Sequence, residues 1–509
     1  MNSDMENNTD SRVINTLRNT GVNIICQIAN LAVSIVIPPL LIGTYGSVVN
    51  GLITTIKQII SYTSLVGAGI SDSTIVSLYK PLRKKDNKSV SEIYKAVGKS
   101  FNKAGFIFSS ISVVLAFLLP FIKNDGLPYY FITLMVLILS LSGASEFFFT
   151  GKFRALLTAD QKVYVVNLAQ TIGAVVGAVL TIILIELKTE ILIVQLVATV
   201  AYVLRIIIMF SFVKKNYKFV DTAVEPDYSA ISRRQAATVH QVTALIIFGS
   251  QSLFIAYFCG FAEASVFSIY NLIFAGLNTL LVTISSAVLG SMGNLIAEGN
   301  DEKVRDVYDL YEFGYNIIGF SCYATAVIMI VPFLILYVGG ITDEQYIRTE
   351  LVILFVTMGM SNCIRTPGVT MIAAKGHYKE TQYRALIEMT ICLVGQMLLV
   401  RQYGIAGVLI ATTVAYSYRT VDIILYSHKW IMFDSPKKSL IRAIINIIVL
   451  VLVFFVNTFI EVTASGYLSW AFKAAVVLCI SIIVFSGINA LFNLNSVKQF
   501  KKYLMSFKR

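Results

Sequence analysis

Apolar stretches of about 20 residues recur along the whole chain, separated by short polar segments. A helix needs about that length to cross roughly 30 Å of hydrocarbon, so each stretch is typical of a membrane span. The pattern predicts an all-α fold with about fourteen membrane-spanning helices. Their centres lie near residues 30, 63, 111, 140, 175, 202, 247, 280, 327, 360, 391, 416, 450 and 481.

Composition supports a polytopic membrane protein and excludes an ordinary soluble domain. The 509 residues are 56% hydrophobic and 14% charged, and the mean hydropathy is +0.74. The six cysteines lie in apolar stretches without paired spacing, and the three histidines are dispersed. We therefore expect no disulfide, metal site or other cofactor, and no nucleic-acid partner. The predicted outer loops are too short for an external catalytic domain.

The distribution of basic residues predicts the orientation. Short cytoplasmic loops collect Lys and Arg, so we place both termini in the cytoplasm. The start, MNSDMENNTD, is polar and acidic, which is unlike a cleavable signal. The basic segment 80–103 either sets the topology or forms an interfacial helix on anionic membrane lipids. Of the 41 basic residues, four fall outside (Lys123, Lys188, Arg348, Arg401) and four within spans (Lys57, Arg205, Arg419, Lys473).

Two similar heptamers indicate an internal repeat. TVAYVLR occupies residues 199–205 and TVAYSYR occupies 413–419, an offset of 214 residues that also relates Gln27 to Gln241 and Tyr164 to Tyr378. A constant offset across spans and loops predicts a duplicated six-span unit, with the copies parallel. The predicted domains are an N-terminal six-helix lobe (1–213), a cytoplasmic linker (214–235), a C-terminal six-helix lobe (236–430), and helices 13 and 14 with a basic tail (431–509).

Polar side chains follow one face of each of the first two spans. Asn23 and Gln27 share a helical stripe on span 1, while Asn50 and Ser61 share one on span 2. Hydrogen bonds between packed helices are one explanation for such residues. The number of polar positions favours the other explanation, a hydrated cavity between the spans.

Lys57 lies on the span 2 stripe, about 13 Å inside the outer end of its helix. A lysine at that depth costs about 2.5 to 3.5 kcal/mol on insertion scales, so we expect it to face water, a carboxylate or an anionic ligand. The repeat offset relates Lys57 to Asn271 and Ser64 to Asn278 on span 8. The predicted cavity is therefore cationic mainly on one lobe.

Two arginines close the repeated heptamers. Snorkelling toward the cytoplasm is one explanation for both Arg205 and Arg419. Asp422 follows Arg419 by three residues and could form a charge pair with it. The offset relates Asp422 to Ile208, so Arg205 has no matching partner and is the better ligand candidate.

Two segments, NTLRNTGVNIICQIANLAVSIVIPPLLIGTYGSVVNGL (15–52) and LLTADQKVYVVN (156–167), resemble the Wzx-type flippases of O-antigen and capsule repeat units. These transporters belong to the multidrug/oligosaccharidyl-lipid/polysaccharide exporter (MOP) superfamily. The resemblance implies a flippase that moves undecaprenyl-pyrophosphate-linked oligosaccharide to the outer leaflet by alternating access, for polysaccharide biosynthesis, with a polysaccharide polymerase as a possible partner. It also implies a location in the inner membrane of a bacterium. We expect Lys57 in the first place, and Arg205 in the second, to hold the phosphates. The sugar path would be lined by the polar residues Asn23, Gln27, Asn50, Ser61, Asn271 and Asn278.

Two other functions compete with the flippase. A multidrug cation antiporter of the same superfamily would need a buried carboxylate, for which Glu146 and Glu388 are candidates. A lysine on the cavity face would repel cationic drugs. A membrane enzyme such as a polysaccharide polymerase or a glycosyltransferase is opposed by the short outer loops and the duplicated lobes. We therefore expect a transporter rather than an enzyme.

Overall fold

The computed structural model describes residues 2–67, 70–221, 223–229, 235–459 and 462–493. Within these ranges the chain is helical and contains no strand. The helices of its first part are α1 (Asn2–Tyr45), α2 (Ser47–Thr63), α3 (Ile70–Lys84), α4 (Asn87–Ile122), α5 (Tyr129–Ser145), α6 (Gly151–Ala159), α7 (Val163–Glu186), α8 (Ile191–Val200) and α9 (Val203–Asn216). Those of its second part are α10 (Gln235–Cys259), α11 (Phe261–Glu298), α12 (Asp301–Val338), α13 (Thr349–Lys375), α14 (Tyr378–Ser427), α15 (Lys437–Asn457) and α16 (Tyr467–Phe492).

The predicted polytopic all-α fold is confirmed. Among the described residues, 12 helical segments are long and apolar enough to cross a membrane. The predicted second span instead consists of α2, a 3₁₀ turn at Ser64–Gly67 and α3. Predicted spans 11 and 12 form α14, which is kinked at Gly404 where φ is +54° and ψ is −132°. The 12 segments do not include the broken second span, and they count α14 once. Adding the broken span and dividing α14 at its kink gives the fourteen predicted crossings.

Contacts divide the chain into two compact units. The first contains Met1–Leu245 and Gly260–Ser265, and the second contains Ile246–Cys259 and Val266–Arg509. The lobe boundaries predicted from the internal repeat remain a prediction, because contact density and sequence repetition are different criteria.

The core of the first unit lies where α3, α4, α6 and α7 meet. Phe147 lies between α5 and α6, and its ring centroid is 6.4 Å from that of Phe101 and 5.2 Å from that of Phe108. All three side chains are buried, each less than a tenth exposed. Large buried aromatic rings contribute strongly to packing energy, so this cluster fixes the arrangement of α4 against the segment after α5.

The second unit is organised around α12, which packs against α13, α15 and α16. Phe355 of α13 contributes a further aromatic cluster, with ring centroids 5.5 Å from Phe267 and 5.1 Å from Phe274, both on α11. The two helices that follow the predicted repeat, α15 and α16, therefore belong to the second unit through α12.

Candidate functional site

A cavity of about 510 Å³ lies inside the first unit. Its walls come from α1, α2, α5, α7 and α8, together with Tyr202 in the turn after α8. The volume is within the range of roughly 300 to 1,000 Å³ that small-molecule sites occupy. The predicted cavity beside the first two spans therefore has a counterpart in the structure.

Small residues on α7 create part of this space. Gly173 and Gly177 line the cavity and also let α7 approach α8 closely. A Cβ atom added at Gly177 would lie 3.3 Å from the carbonyl oxygen of Ala198. Small residues at four-residue spacing are typical of closely packed membrane helices. Here they also leave one wall of the cavity without bulky side chains.

Lys57 contributes charge to the cavity. It lies on α2, lines the cavity and is exposed. Among the described residues that line the cavity, Lys57 is the one lysine, arginine, aspartate or glutamate. No hydrogen-bond or ion-pair partner for its ammonium group is found within the described part of the chain. Because an ammonium in an apolar surrounding needs water or an anion, the cavity offers an anion-binding group.

The other predicted ligands of the first two spans are mostly engaged with protein. Asn50 lines the cavity, but it is 3% exposed and its amide donates to Ser265 Oγ at 2.7 Å. Ser61 also lines the cavity; its hydroxyl donates to the carbonyl of Gln58 at 2.8 Å and accepts from Gln58 Nε2 at 2.9 Å, which leaves one lone pair. The hydroxyl of Ser61 therefore keeps acceptor capacity toward the cavity, whereas the amide of Asn50 stabilises helix packing.

The remaining polar candidates lie elsewhere. Asn23 accepts a 3.1 Å hydrogen bond from Asn167 of α7, and Gln27 is exposed outside the cavity wall. Asn278 of α11 accepts from Asn362 of α13 at 2.8 Å, and Asn271 of α11 is half-buried. Asn271 and Asn278 belong to the second unit. For Asn23, Asn50 and Asn278, interhelical hydrogen bonding is the arrangement observed.

Arg205 differs from the sequence expectation, because it has a partner. Its Nη1 lies 3.2 Å from Glu146 Oε2, and its Nη2 donates to Ser145 Oγ at 3.1 Å. The carboxylate of Glu146 comes from predicted span 4. The repeat offset had tested for a partner only at Ile208, which lies on span 6 with Arg205 itself. Arg205 does not line the cavity, but Tyr202, one turn earlier, does. The inference of an unpartnered Arg205 was therefore wrong.

The predicted charge pair of Arg419 and Asp422 is present on α14. It belongs to a larger network in the second unit, in which Arg384 also pairs with Asp422. Glu388 pairs with Arg365 and lies 3.5 Å from Arg419 Nε. Three guanidinium groups thus surround two carboxylates. The two candidate antiporter carboxylates, Glu146 and Glu388, each form an ion pair with arginine.

A second buried network was missed by sequence reasoning. Arg442 of α15 is 0% exposed; its Nη1 donates to Glu312 Oε2 at 2.5 Å and its Nη2 to Asp309 Oδ1 at 2.9 Å. Ser439 donates to the same Glu312 oxygen at 2.8 Å and contacts His428 Nε2 at 2.9 Å. The only sequence signal was an arginine at the start of an apolar span, which ordinarily indicates the cytoplasmic boundary.

The network includes an arrangement of serine, histidine and aspartate. His428 Nδ1 lies 2.6 Å from Asp434 Oδ1, so the three side chains follow the order of a hydrolase triad. Ser439 is 3% exposed and its hydroxyl proton is directed to Glu312 rather than to the imidazole. A nucleophile needs both access and a base that takes its proton, so this cluster is a packing contact.

Comparisons with solved structures establish the class of fold. The chain matches an inward-facing multidrug resistance MATE family transporter of the MOP superfamily over 80% of its length and 93% of that protein, with 14% identity and a TM-score of 0.61. The MATE transporter VcmN of Vibrio cholerae is matched over 84% of this chain and 99% of its own, with 13% identity and a TM-score of 0.54. A MOP superfamily transporter from Pyrococcus furiosus is matched over 82% of this chain and 93% of its own, with 14% identity and a TM-score of 0.55.

The chain thus has the fold of MOP superfamily transporters. The solved proteins that share it are membrane transporters rather than enzymes. No family model and no curated protein matches the chain by sequence.

Proposed function

We propose that the protein is a MOP-type transporter for an anionic cargo, a lipid-linked oligosaccharide whose pyrophosphate binds in the cavity of the first unit. The observation that carries the proposal is the charge of that cavity. Lys57 contributes a cation without an ion-pair partner among the described residues, and no described lining residue is a carboxylate. A site with this polarity attracts phosphate and repels cationic molecules.

The size and lining of the cavity limit how much of such a cargo it takes. About 510 Å³ suits a pyrophosphate and an adjoining sugar, while further sugars and the polyprenyl chain lie outside it. Hydroxyl groups of Ser34, Ser61 and Thr181 in the wall provide hydrogen-bonding capacity for sugar hydroxyls. Such groups replace the hydration that a polar headgroup loses on leaving water.

A multidrug transporter is the second candidate. The descriptions of the solved structures with this fold favour a multidrug transporter over a flippase. The first of them is described as a multidrug resistance transporter. A eukaryotic relative by fold, AtDTX14, is likewise a MATE transporter, with 14% identity and a TM-score of 0.54. The Pyrococcus furiosus protein is described by a binding pocket of reverse polarity that suggests a different function. Pocket charge is therefore the property that separates the two candidates on one fold.

Proteoliposome transport tests the proposal directly. The full-length protein is reconstituted with a fluorescent undecaprenyl-pyrophosphate oligosaccharide, and its exposure on the opposite leaflet is compared with that in empty vesicles. The variants are Lys57→Gln, which removes the charge, and Lys57→Arg, which keeps it. Lys473→Gln is the matched control, because Lys473 also lies within a predicted span but its ammonium donates to the carbonyl of Thr463 at 2.6 Å.

We expect the wild-type protein and Lys473→Gln to accelerate leaflet transfer. Lys57→Gln should weaken cargo binding about ten- to 150-fold, the range set by roughly 1.5 to 3 kcal/mol for a hydrogen bond to a charged group. Transport of a cationic dye, with no transfer of the oligosaccharide lipid, would instead establish the multidrug function. Unchanged oligosaccharide transfer by Lys57→Gln would remove Lys57 from the site.

A further inference from the structure

Glu146 occupies a position between two arginines at the end of α5. Its Oε2 lies 3.2 Å from Arg205 Nη1 and accepts a 2.8 Å hydrogen bond from Thr150 Oγ1. Its Oε1 lies 3.0 Å from Arg154 Nη1. The backbone from Glu146 to Thr150 is a π-helical turn rather than an α-helix. π-turns of this kind are rare and occur frequently at functional sites.

The cluster lies directly beside the cavity of the first unit. Ser142, four residues before Glu146, lines that cavity, and so does Tyr202, three residues before Arg205. The guanidinium of Arg205 lies 5.6 Å from the centre of the Tyr202 ring. One helical turn is about 5.4 Å, so the arginine cluster begins one turn beyond the cavity wall. By the predicted orientation, that direction leads toward the cytoplasm.

The charges of the cluster do not cancel. Two guanidinium groups share one carboxylate, and Arg205 Nε is buried without a hydrogen-bond partner among the described residues. The Arg205 side chain is 12% exposed, while that of Glu146 is 23% exposed. The Arg205 side chain is therefore the more buried of the two as a whole, and Glu146 Oε1 is itself buried.

We propose that the carboxylate of Glu146 occupies the place on Arg205 that the anionic group of the cargo takes during transport. The cargo must displace Glu146 from Arg205 before it reaches Lys57. This inference rests on the proposed function. A pyrophosphate presents several acceptor oxygens to the same guanidinium groups and forms short charge-assisted hydrogen bonds with them, so it competes with a single carboxylate. A neutral or cationic molecule cannot compete. Glu146 would thereby select for anionic cargo at the approach to the cavity.

Removing the charge of Glu146 should then increase the affinity for an anion. The test measures binding of a short-chain polyprenyl pyrophosphate to the full-length protein in detergent by titration calorimetry. Glu146→Gln should bind the probe about fivefold more tightly, the factor that corresponds to a weak, partly solvated ion pair. Glu186→Gln is the matched control, since Glu186 is exposed at the end of α7 and does not line the cavity.

A double variant tests whether Glu146 acts through the arginine. Arg205→Gln should weaken binding. Adding Glu146→Gln to Arg205→Gln should raise the affinity by less than it does in the wild type, because only the guanidinium of Arg154 is then released. A gain as large as that in the wild type overturns the inference. If Glu146→Gln is not recovered as folded protein, Thr150→Val provides the same test. It removes the hydroxyl that holds Glu146, and binding that is equal or weaker than in the wild type counts against the proposal.

The outcomes separate this inference from the proposed function. If the wild-type protein does not bind the pyrophosphate probe, or binds it equally well after Lys57→Gln, the proposed function fails. If binding depends on Lys57 but Glu146→Gln binds no more tightly than the wild type and the Glu186→Gln control, only the role of Glu146 fails.

Discussion

Substitution of Arg442 by methionine should strongly destabilise the second unit. Arg442 is fully buried, and its loss leaves the carboxylate of Glu312, itself 3% exposed, without its cation. Asp309 is less affected because Lys438 remains 2.7 Å from it. Removing one member of a buried ion pair costs about 3 to 5 kcal/mol, since an uncompensated charge stays behind. We expect Arg442→Met to lower the free energy of unfolding by about that amount.

The assay is reversible unfolding in mixed detergent micelles, with Lys437→Met as the control. Lys437 lies on the same helix but is exposed, and its substitution should change stability by less than about 0.5 kcal/mol. Arg442→Met combined with Glu312→Gln removes both charges, so the double variant should be more stable than Arg442→Met alone. A cost of less than about 1 kcal/mol for Arg442→Met, or a double variant that is less stable than Arg442→Met, would contradict a stabilising role for the buried ion pair.

Two further predictions concern packing and the buried serine. A Cβ atom at Gly51 would lie 1.6 Å from the carbonyl oxygen of Phe261, so Gly51→Val should abolish the folded monodisperse peak on size-exclusion chromatography. A Cβ atom at Gly43 meets nothing within 4 Å, so Gly43→Val should leave that peak intact; equal behaviour of the two variants contradicts the close approach. A fluorophosphonate probe should not label Ser439, because this hydroxyl is buried and donates to Glu312. Labelling that disappears in Ser439→Ala would reveal an accessible nucleophile.

Hydropathy was sufficient to predict the helical membrane fold, because a span must satisfy all its backbone hydrogen bonds internally and must be apolar along about 20 residues. The irregular backbone was not predictable from the same signal. The 3₁₀ turn at Ser64–Gly67 interrupts a stretch in which polar and apolar residues alternate. At Gly404, where an outer loop was predicted, the chain instead continues as a helix that is kinked by the positive φ of this glycine. Hydropathy averages over a window and carries no information on such local dihedral angles.

Polar stripes indicated which faces are buried but not what they contact. Asn23, Asn50 and Asn278 were predicted as ligands and instead bond to residues on other helices, 84 or more positions away in the chain. An amide can satisfy itself with another amide or hydroxyl, so its sequence position cannot distinguish a packing contact from a ligand. Lys57 was the more informative residue, because an ammonium needs an acceptor and few were available near it.

The internal repeat gave the positions of the two arginines but not their counterions. Arg419 pairs with Asp422 on its own helix, whereas Arg205 pairs with Glu146 from another span. The local backbone also differs, since residues 199–205 contain hydrogen bonds of three-residue spacing while 413–419 are within α14. A fixed offset compares corresponding positions only, so it cannot find a partner contributed by a different helix.

The size and the charge of the first-unit cavity depend on different residues. The volume of the cavity depends on absent side chains at Gly173 and Gly177 of α7, while its charge depends on Lys57 of α2. A Cβ atom added at Gly177 would lie 3.3 Å from the carbonyl oxygen of Ala198, so a larger residue there would change the space through the spacing of α7 and α8 and leave its charge unaltered. Replacing Lys57 by a neutral residue would remove the positive charge without altering the packing of α7 on α8. The shape and the charge of this cavity can therefore change independently, by single substitutions on different helices.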